Sequence, residues 1–275
     1  MLLPGYCYEL NIKTIGEKGA WLYAEDEQLF LPKSECPDDI DLNAPIDVFL
    51  YLDRDNQRKI TTQMPLAQVG DFTMLQVKSV GDHGAFLEWG VRKDLLAPFS
   101  EQAQKMMEGR KYLVHIYLDK DERPIASSRF ERFLVKENRD LKEGEEVDVV
   151  IWAFTDLGAK VIVNNYYEAL IYRDEVPQGL KRGDQYLGYV LRVRGDHRID
   201  ITLRRPGAEG VKDARTVILE ALEEDDFIPL HDKSAPDDIR DQLGLSKKVF
   251  KKAIGGLYKD GLIELADTGI KLLKK

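Results

Sequence analysis

The 275-residue chain is poor in the residues that usually mark catalysis, metal binding or export. It has two cysteines, Cys7 and Cys36, far apart and without CxxC spacing, so neither a disulfide framework nor a zinc site is expected. Its four histidines, His83, His115, His197 and His231, lack metal-ligand spacing. No P-loop, GxSxG or GxGxxG is present, and no other catalytic constellation emerges. No stretch approaches the roughly 18 consecutive apolar residues of a membrane span. Met1-Leu2-Leu3-Pro4-Gly5 has no basic segment followed by a long apolar run, so no secretion signal is expected and the cytoplasm is the expected compartment. Cations are also in deficit. The net charge of −9 argues against binding polyanions over the whole surface. Residues 1–64 carry 6 basic and 12 acidic side chains, whereas residues 136–210 carry 12 and 14. Any anion-binding surface must therefore be local.

What the chain does have is a repeat. His83-Gly84-Ala85-Phe86-Leu87-Glu88-Trp89 puts a glycine before strictly alternating side chains. The pattern occurs earlier as Lys18-Gly19-Ala20-Trp21-Leu22-Tyr23-Ala24 and later as Leu157-Gly158-Ala159-Lys160-Val161-Ile162-Val163. Each copy leads into a short apolar segment, a β-patterned run (Ile46 to Asp53, Tyr112 to Asp119, Tyr186 to Arg194) and a closing strand. Asp53-Arg54-Asp55-Asn56 and Asp119-Lys120-Asp121-Glu122 fall where hairpin turns are needed. They lack the glycine and bidentate glutamate of a calcium loop. Five short strands in some 60 residues suit a small five-stranded barrel of the OB type.

After Pro206-Gly207-Ala208-Glu209-Gly210, read as a break, the period changes. Val217, Ile218, Ala221 and Leu222 mark one face of a helix. Ser234 and Ser246 can cap two more, ended by Gly244 and Gly261. A terminal hairpin completes the pattern of a winged helix.

Gly-Ala-aromatic after a first strand, a Leu-x-Pro-x-Ser segment and a Val/Leu-rich strand ending in Asp together resemble the S1-type RNA-binding barrel. Three in tandem, with Pro65-Leu66-Ala67-Gln68-Val69-Gly70 joining the first two, resemble the bacterial conserved virulence factor B family. That resemblance implies three S1-type barrels before a winged helix, RNA binding, and a role in post-transcriptional control. The expected fold is thus mainly β with a C-terminal α/β part. Residues 1–64, 65–135 and 136–208 form three tandem five-stranded OB-fold barrels, and 209–275 form the winged helix. Phe130 to Gly144 is a longer connection, for which a helix is one reading.

Alternation then assigns faces. With Ala85, Leu87 and Trp89 inside the barrel, Phe86 points out; the same register puts Trp21 and Tyr23 outside, and Lys160 and Ile162 in the third repeat. An outward aromatic offers a flat surface for a base, so Trp21, Tyr23 and Phe86 are candidates for stacking or for interdomain packing. The third repeat is the stronger candidate for RNA. Lys160 replaces the aromatic, Tyr172 and Arg173 follow, and with Leu191 and Val193 inward, Arg192 and Arg194 point out. Arg198, Arg204 and Arg205 lie nearby, interleaved with Tyr166 and Tyr167. Arginine pairs with phosphate and also stacks on bases. A solvated charged face is the alternative.

In the third helix, Lys247, Lys248, Lys251, Lys252 and Lys259 lie opposite the stripe Phe250, Ala253, Ile254 and Leu257. Lysines give point charges for phosphate, and no Arg, Asn or Gln accompanies them to read base edges. The expected function is non-enzymatic binding of single-stranded RNA, with no cofactor, metal or membrane partner. The first two barrels would act as scaffold or dock a protein. The rivals are a DNA-binding transcription regulator that uses the winged helix, and an adaptor on the ribosome or RNA polymerase that uses Trp21, Tyr23, Phe49 and Tyr51.

Overall fold

The computed structural model describes every residue except Glu25, Asp26, Gln178, Pro206, Asp267, Lys274 and Lys275, and gives only the backbone for residues 207–213. The chain divides into two compact units, Met1–Leu134 and Val135–Lys275. Unit one holds two barrels; unit two holds a third barrel and the winged helix.

In the first barrel, β1 (Cys7–Gly16), β2 (Gly19–Ala24) and β3 (Glu27–Pro32) form a meander, with β4 (Ile46–Leu52) beside β1 and β5 (Arg58–Thr61) outermost. The sheet order is β3-β2-β1-β4-β5, and the barrel stops just short of closure. The second barrel comprises β6 (Phe72–Gly81), β7 (Gly84–Leu87), β8 (Leu95–Pro98), β9 (Lys111–Leu118) and β10 (Pro124–Ser127). The third comprises β11 (Glu146–Thr155), β12 (Gly158–Val163), β13 (Tyr167–Tyr172), β14 (Gln185–Val193) and β15 (Ile199–Thr202). Both close through one short parallel pairing, Ile125 with Leu96 and Ala169 with Ile199.

The repeated Gly-Ala has a steric cause. Gly19, Gly84 and Gly158 sit at φ +143°, +154° and +141°. A Cβ at these positions would lie 2.1, 2.2 and 2.0 Å from the carbonyl oxygens of Leu31, Ala97 and Ile171 on the third strand. Only glycine allows that approach. The alanines that follow, Ala20, Ala85 and Ala159, are fully buried. The hairpins are also as the sequence suggests. Asp53 Oδ1 accepts from the amides of Asp55 and Gln57, and Asp119 Oδ1 from those of Asp121 and Arg123.

The first two barrels share a core. Phe49, on β4, is fully buried against Trp89 of the second barrel, edge to face at 5.0 Å. Trp89 Nε1 donates to the Ala67 carbonyl at 2.6 Å. Phe49 is therefore not available to a partner, which corrects its assignment to an exposed docking surface; it caps the neighbouring barrel instead.

Three further expectations change. Phe130 to Gly144 is not an α-helix. A 3-10 turn at Phe130–Phe133 is followed by extended chain, with Val135 bridging Tyr167. Phe130 is driven into the core against Phe72 and Leu141 is buried separately, so the segment is held point by point. The break at 206–210 is where α1 (Gly207–Asp225) begins, Pro206 itself lying outside the described residues. Ser234 does not cap α2 (Pro236–Leu243). Ala235 is the N-cap, Pro236 opens the helix, and the Ser234 hydroxyl accepts from the His231 amide. Ser246 does cap α3 (Lys247–Lys259), accepting from the Val249 amide, and Gly244 ends α2 at φ 64°. With β16 (Phe227–Ile228), β17 (Ile263–Ala266) and β18 (Gly269–Leu272) in the order β16-β18-β17, these helices make a winged helix.

Two predictions follow from this packing. Gly84→Ala and Gly158→Ala each lower the free energy of unfolding by about 3 kcal/mol. Gly195→Ala, with nothing within 4 Å, changes it by less than about 0.5 kcal/mol. Urea denaturation followed by circular dichroism measures both. The second concerns His115, stacked 4.3 Å from Phe72. Burial lowers its pKa to about 4, although Nδ1 lies 3.2 Å from the Asp71 carbonyl. The unfolded chain, with an ordinary value near 6.5, binds the proton first, so stability falls as pH drops through the window between the two values. From pH 7 to pH 5 this group removes about 2 kcal/mol, a loss absent from His115→Phe in paired urea titrations.

Candidate nucleic-acid interface

The outward strand positions carry the expected side chains, in three different settings. On the first barrel Trp21 is 45% exposed and packs 5.1 Å from Phe30 on the adjacent strand. Tyr23 is 42% exposed. On the second, Phe86 is half-buried and lines a cavity of about 430 Å³ with His83, Leu96 and Ile125.

On the third barrel most of the expected cations are already paired. Asp200 lies on β15 between Ile199 and Ile201, which face the core. Alternation turns it outward, yet it is fully buried, because two arginines cover it. Arg192 Nη2 donates to its Oδ2 at 2.7 Å, and the Arg194 guanidinium to its Oδ1. The Arg194 guanidinium also lies 5.4 Å over the Tyr172 ring. Lys160 Nζ is 3.4 Å from Glu168 and 5.0 Å over the Trp152 ring. Arg173 is exposed.

Two register assignments are corrected here. Leu191 is not inward: it is 44% exposed, because a bulge between Val190 and Arg192 inserts it as an extra residue against β15. Ile162 does face away from the barrel core but is fully buried, paired across the strands with buried Val150.

In the winged helix, α3 buries Phe250, Ala253, Ile254 and Leu257. Lys248, Lys251, Lys252 and Lys259 are exposed, with Gly255 and Tyr258 on the same side. Lys247 is half-buried, its Nζ 3.4 Å from the Lys233 carbonyl. Arg204 lies just after β15 and is more than half buried. Its Nη1 is buried without a hydrogen-bond partner among the described residues, as is Nε of Arg240 on α2.

Sequence reasoning did not single out Asp200, Trp152, Arg240 or Tyr258. A lone acid between two isoleucines in an arginine-rich repeat was the available signal for Asp200. Arg240 had none, since its neighbour is distant in sequence. Among the described residues no group of three or more His, Cys, Asp and Glu is placed to hold a metal. No described helix is long and apolar enough to cross a membrane.

The fold and this surface define a multidomain protein built from domain types that bind nucleic acid and are not catalytic. An S1 domain matches residues 4–63 and again 69–129, and a CvfB-like winged helix domain matches residues 216–272. The chain is similar to proteins named conserved virulence factor B, and its winged helix matches a domain model described as CvfB-like. It is 25% identical over 262 residues to conserved virulence factor B of Staphylococcus epidermidis strain RP62A, covering 91% of this chain and 88% of that one. It is also 25% identical over 272 residues to protein YitL of Bacillus subtilis strain 168, covering 94% and 90%. A crystal structure of a multidomain protein with nucleic acid binding domains from Streptococcus pneumoniae is 22% identical, covers 97% of each chain and has a TM-score of 0.38.

The Asp200 cluster gives a prediction about stability. Asp200→Ala lowers the urea midpoint of unfolding, because it leaves a polar-lined void under two arginine stems. Arg192→Ala, which removes the more exposed of the two guanidinia, lowers it less.

Proposed function

We propose that the chain binds single-stranded RNA through its second unit, with the third barrel and the winged helix sharing one strand, and that it acts in post-transcriptional control of gene expression. The observation that carries this reading is the pair Arg204 and Arg240. One belongs to the barrel, the other to the winged helix. Burial lowers the Arg204 pKa; the Glu175 carboxylate opposes that, and the Arg240 charge adds to it. Each guanidinium also has a buried nitrogen without a partner. An orphaned charged donor is costly, and two cations that repel one another compound the cost. A phosphate beside both guanidinia offsets the repulsion, which the Asp237 carboxylate, 3.2 Å from Arg240 Nη1, offsets on one side only.

The exposed lysines of α3 extend this junction as further phosphate contacts. Tyr258, 57% exposed, and Tyr166, 50% exposed, supply rings that can stack only on unpaired bases. That favours a single strand over a duplex. Lysine contacts carry little base information, so the preference is for form rather than sequence. With Lys160, Arg192 and Arg194 committed to carboxylates, the roles of Arg173, Arg204 and the helix lysines outweigh theirs. Post-transcriptional control follows from the family resemblance.

Fluorescence anisotropy of a labelled single-stranded RNA with the full chain tests the reading. Arg240→Ala weakens binding by about tenfold at low salt. Lys248→Ala with Lys252→Ala flattens the plot of log K against log salt by about 1.4. Unchanged affinity in Arg240→Ala would sink the junction. Tighter binding to duplex DNA of the same sequence would favour a transcription regulator.

A further inference from the structure

We infer that Gly255 on α3 opens a subsite for one unpaired nucleotide, in which the base stacks on the Tyr258 ring and its sugar-phosphate lies against bare helix backbone. The inference rests on the reading of unit two as a single-strand binder and names the residue that sets that preference.

Gly255 breaks the local rules for a helix. It lies in the interior of α3, which continues to Lys259. Glycine is the poorest helix former after proline, because it gives up the most backbone freedom and packs nothing. Two needs commonly account for such a residue, and neither applies. Its backbone is not left-handed, so no turn or cap requires a missing Cβ. A Cβ there would meet nothing within 4 Å, so no neighbour in the protein requires the space. The adjacent Gly256 differs. It is half-buried under Arg215, whose Nη1 lies 3.6 Å from the place of its Cβ and whose guanidinium is held by Asp260.

The surroundings of Gly255 show what the open space suits. On a helix the neighbours of a residue are the side chains three and four positions away. One turn before Gly255 these are Lys251 and Lys252, and one turn after they are Tyr258 and Lys259, all four exposed. Phe250, Ala253, Ile254 and Leu257 take the buried face, so the bare backbone sits on the outer one. Helical side chains lean toward the N-terminus, so Tyr258 slopes toward the turn that holds Gly255. A side chain at 255 would stand against the ring and cover one of its faces. With glycine there, ring and backbone meet as a step. A base stacks on the ring, its ribose rests on the backbone, and the phosphates on either side reach the lysine ammonium groups. A duplex cannot use the step, because its bases are stacked on one another and closed to a ring from outside. A helix face lined with lysines attracts any polyanion; the gap beside Tyr258 selects a strand with free bases.

Fluorescence anisotropy of the full chain with a labelled oligouridylate, and with a labelled RNA duplex of equal length, tests it. Gly255→Leu fills the gap with a good helix former, so the thermal unfolding midpoint does not fall. It weakens oligouridylate binding about tenfold, as Tyr258→Ala does. The two together weaken it no more than either alone, because both close the same subsite. Gly256→Ala, on the other side of the helix from solvent, leaves affinity within about twofold of the parent. The inference is overturned if Gly255→Leu binds oligouridylate within about twofold of the parent. It is also overturned if the two losses multiply in the double variant, or if Gly255→Leu weakens the duplex by the same factor. Lys248→Ala with Lys252→Ala separates this failure from that of the wider reading. A loss there with none in Gly255→Leu removes the subsite and keeps the single-strand reading, whereas a parent chain that does not bind oligouridylate removes both.

Discussion

A carbonyl oxygen on the third strand of each barrel points at the first residue of the second strand, and no side chain fits between them. The distance that a Cβ would have, 2.0 to 2.2 Å, is the same to within a few tenths of an ångström in all three barrels. Because the glycine yields there, the meander can coil tightly enough for the fifth strand to reach the third. In two barrels it pairs with it, and in the first it stops short. The alanine that follows is fully buried in all three barrels. From there strict alternation places an outward side chain at the third position, and the three barrels differ in what they put there. The ligand chemistry is therefore a variation on a frame that one steric contact sets.

That division explains what was legible in the sequence. The glycine, the alternation, the Asp turns and the helix periods are local rules, and they gave the barrels, the hairpins and the winged helix with their residues. Other features depend on partners distant in the chain. Arg192 and Arg194 read as free cations because Asp200 lies on a different strand. Ile162 read as exposed because burial on a barrel's outer face is a tertiary fact. Leu191 misled because a bulge resets the alternation, and a bulge leaves no mark in composition. Phe49 looked like a surface aromatic because its cover is a tryptophan from the next barrel.

The pairing of charges also reshapes the picture of the chain as an anion binder. Cations that share a carboxylate are already satisfied and contribute little to attraction at a distance. Those that matter for a ligand are the ones that the fold leaves unmatched. Along the second unit they are Arg204 and the exposed α3 lysines, with Arg240 matched on one side only by Asp237; in the first unit they are Arg54 and Arg92. An acidic protein can thus hold localized electropositive spots without a basic surface.

The shared core of the first two barrels has a consequence for synthesis. Phe49 is sealed by Trp89, which leaves the ribosome forty residues later. The barrel itself is complete at Thr61, so at elongation rates of about 5–20 residues per second it waits for about one to six seconds with an uncovered phenylalanine on its flank. During that interval it is a folded barrel with a sticky edge, and nascent chains on neighbouring ribosomes carry the same one. The short linker between the barrels keeps the correct Trp89 close at hand, so the intended seal has a concentration advantage over every foreign one.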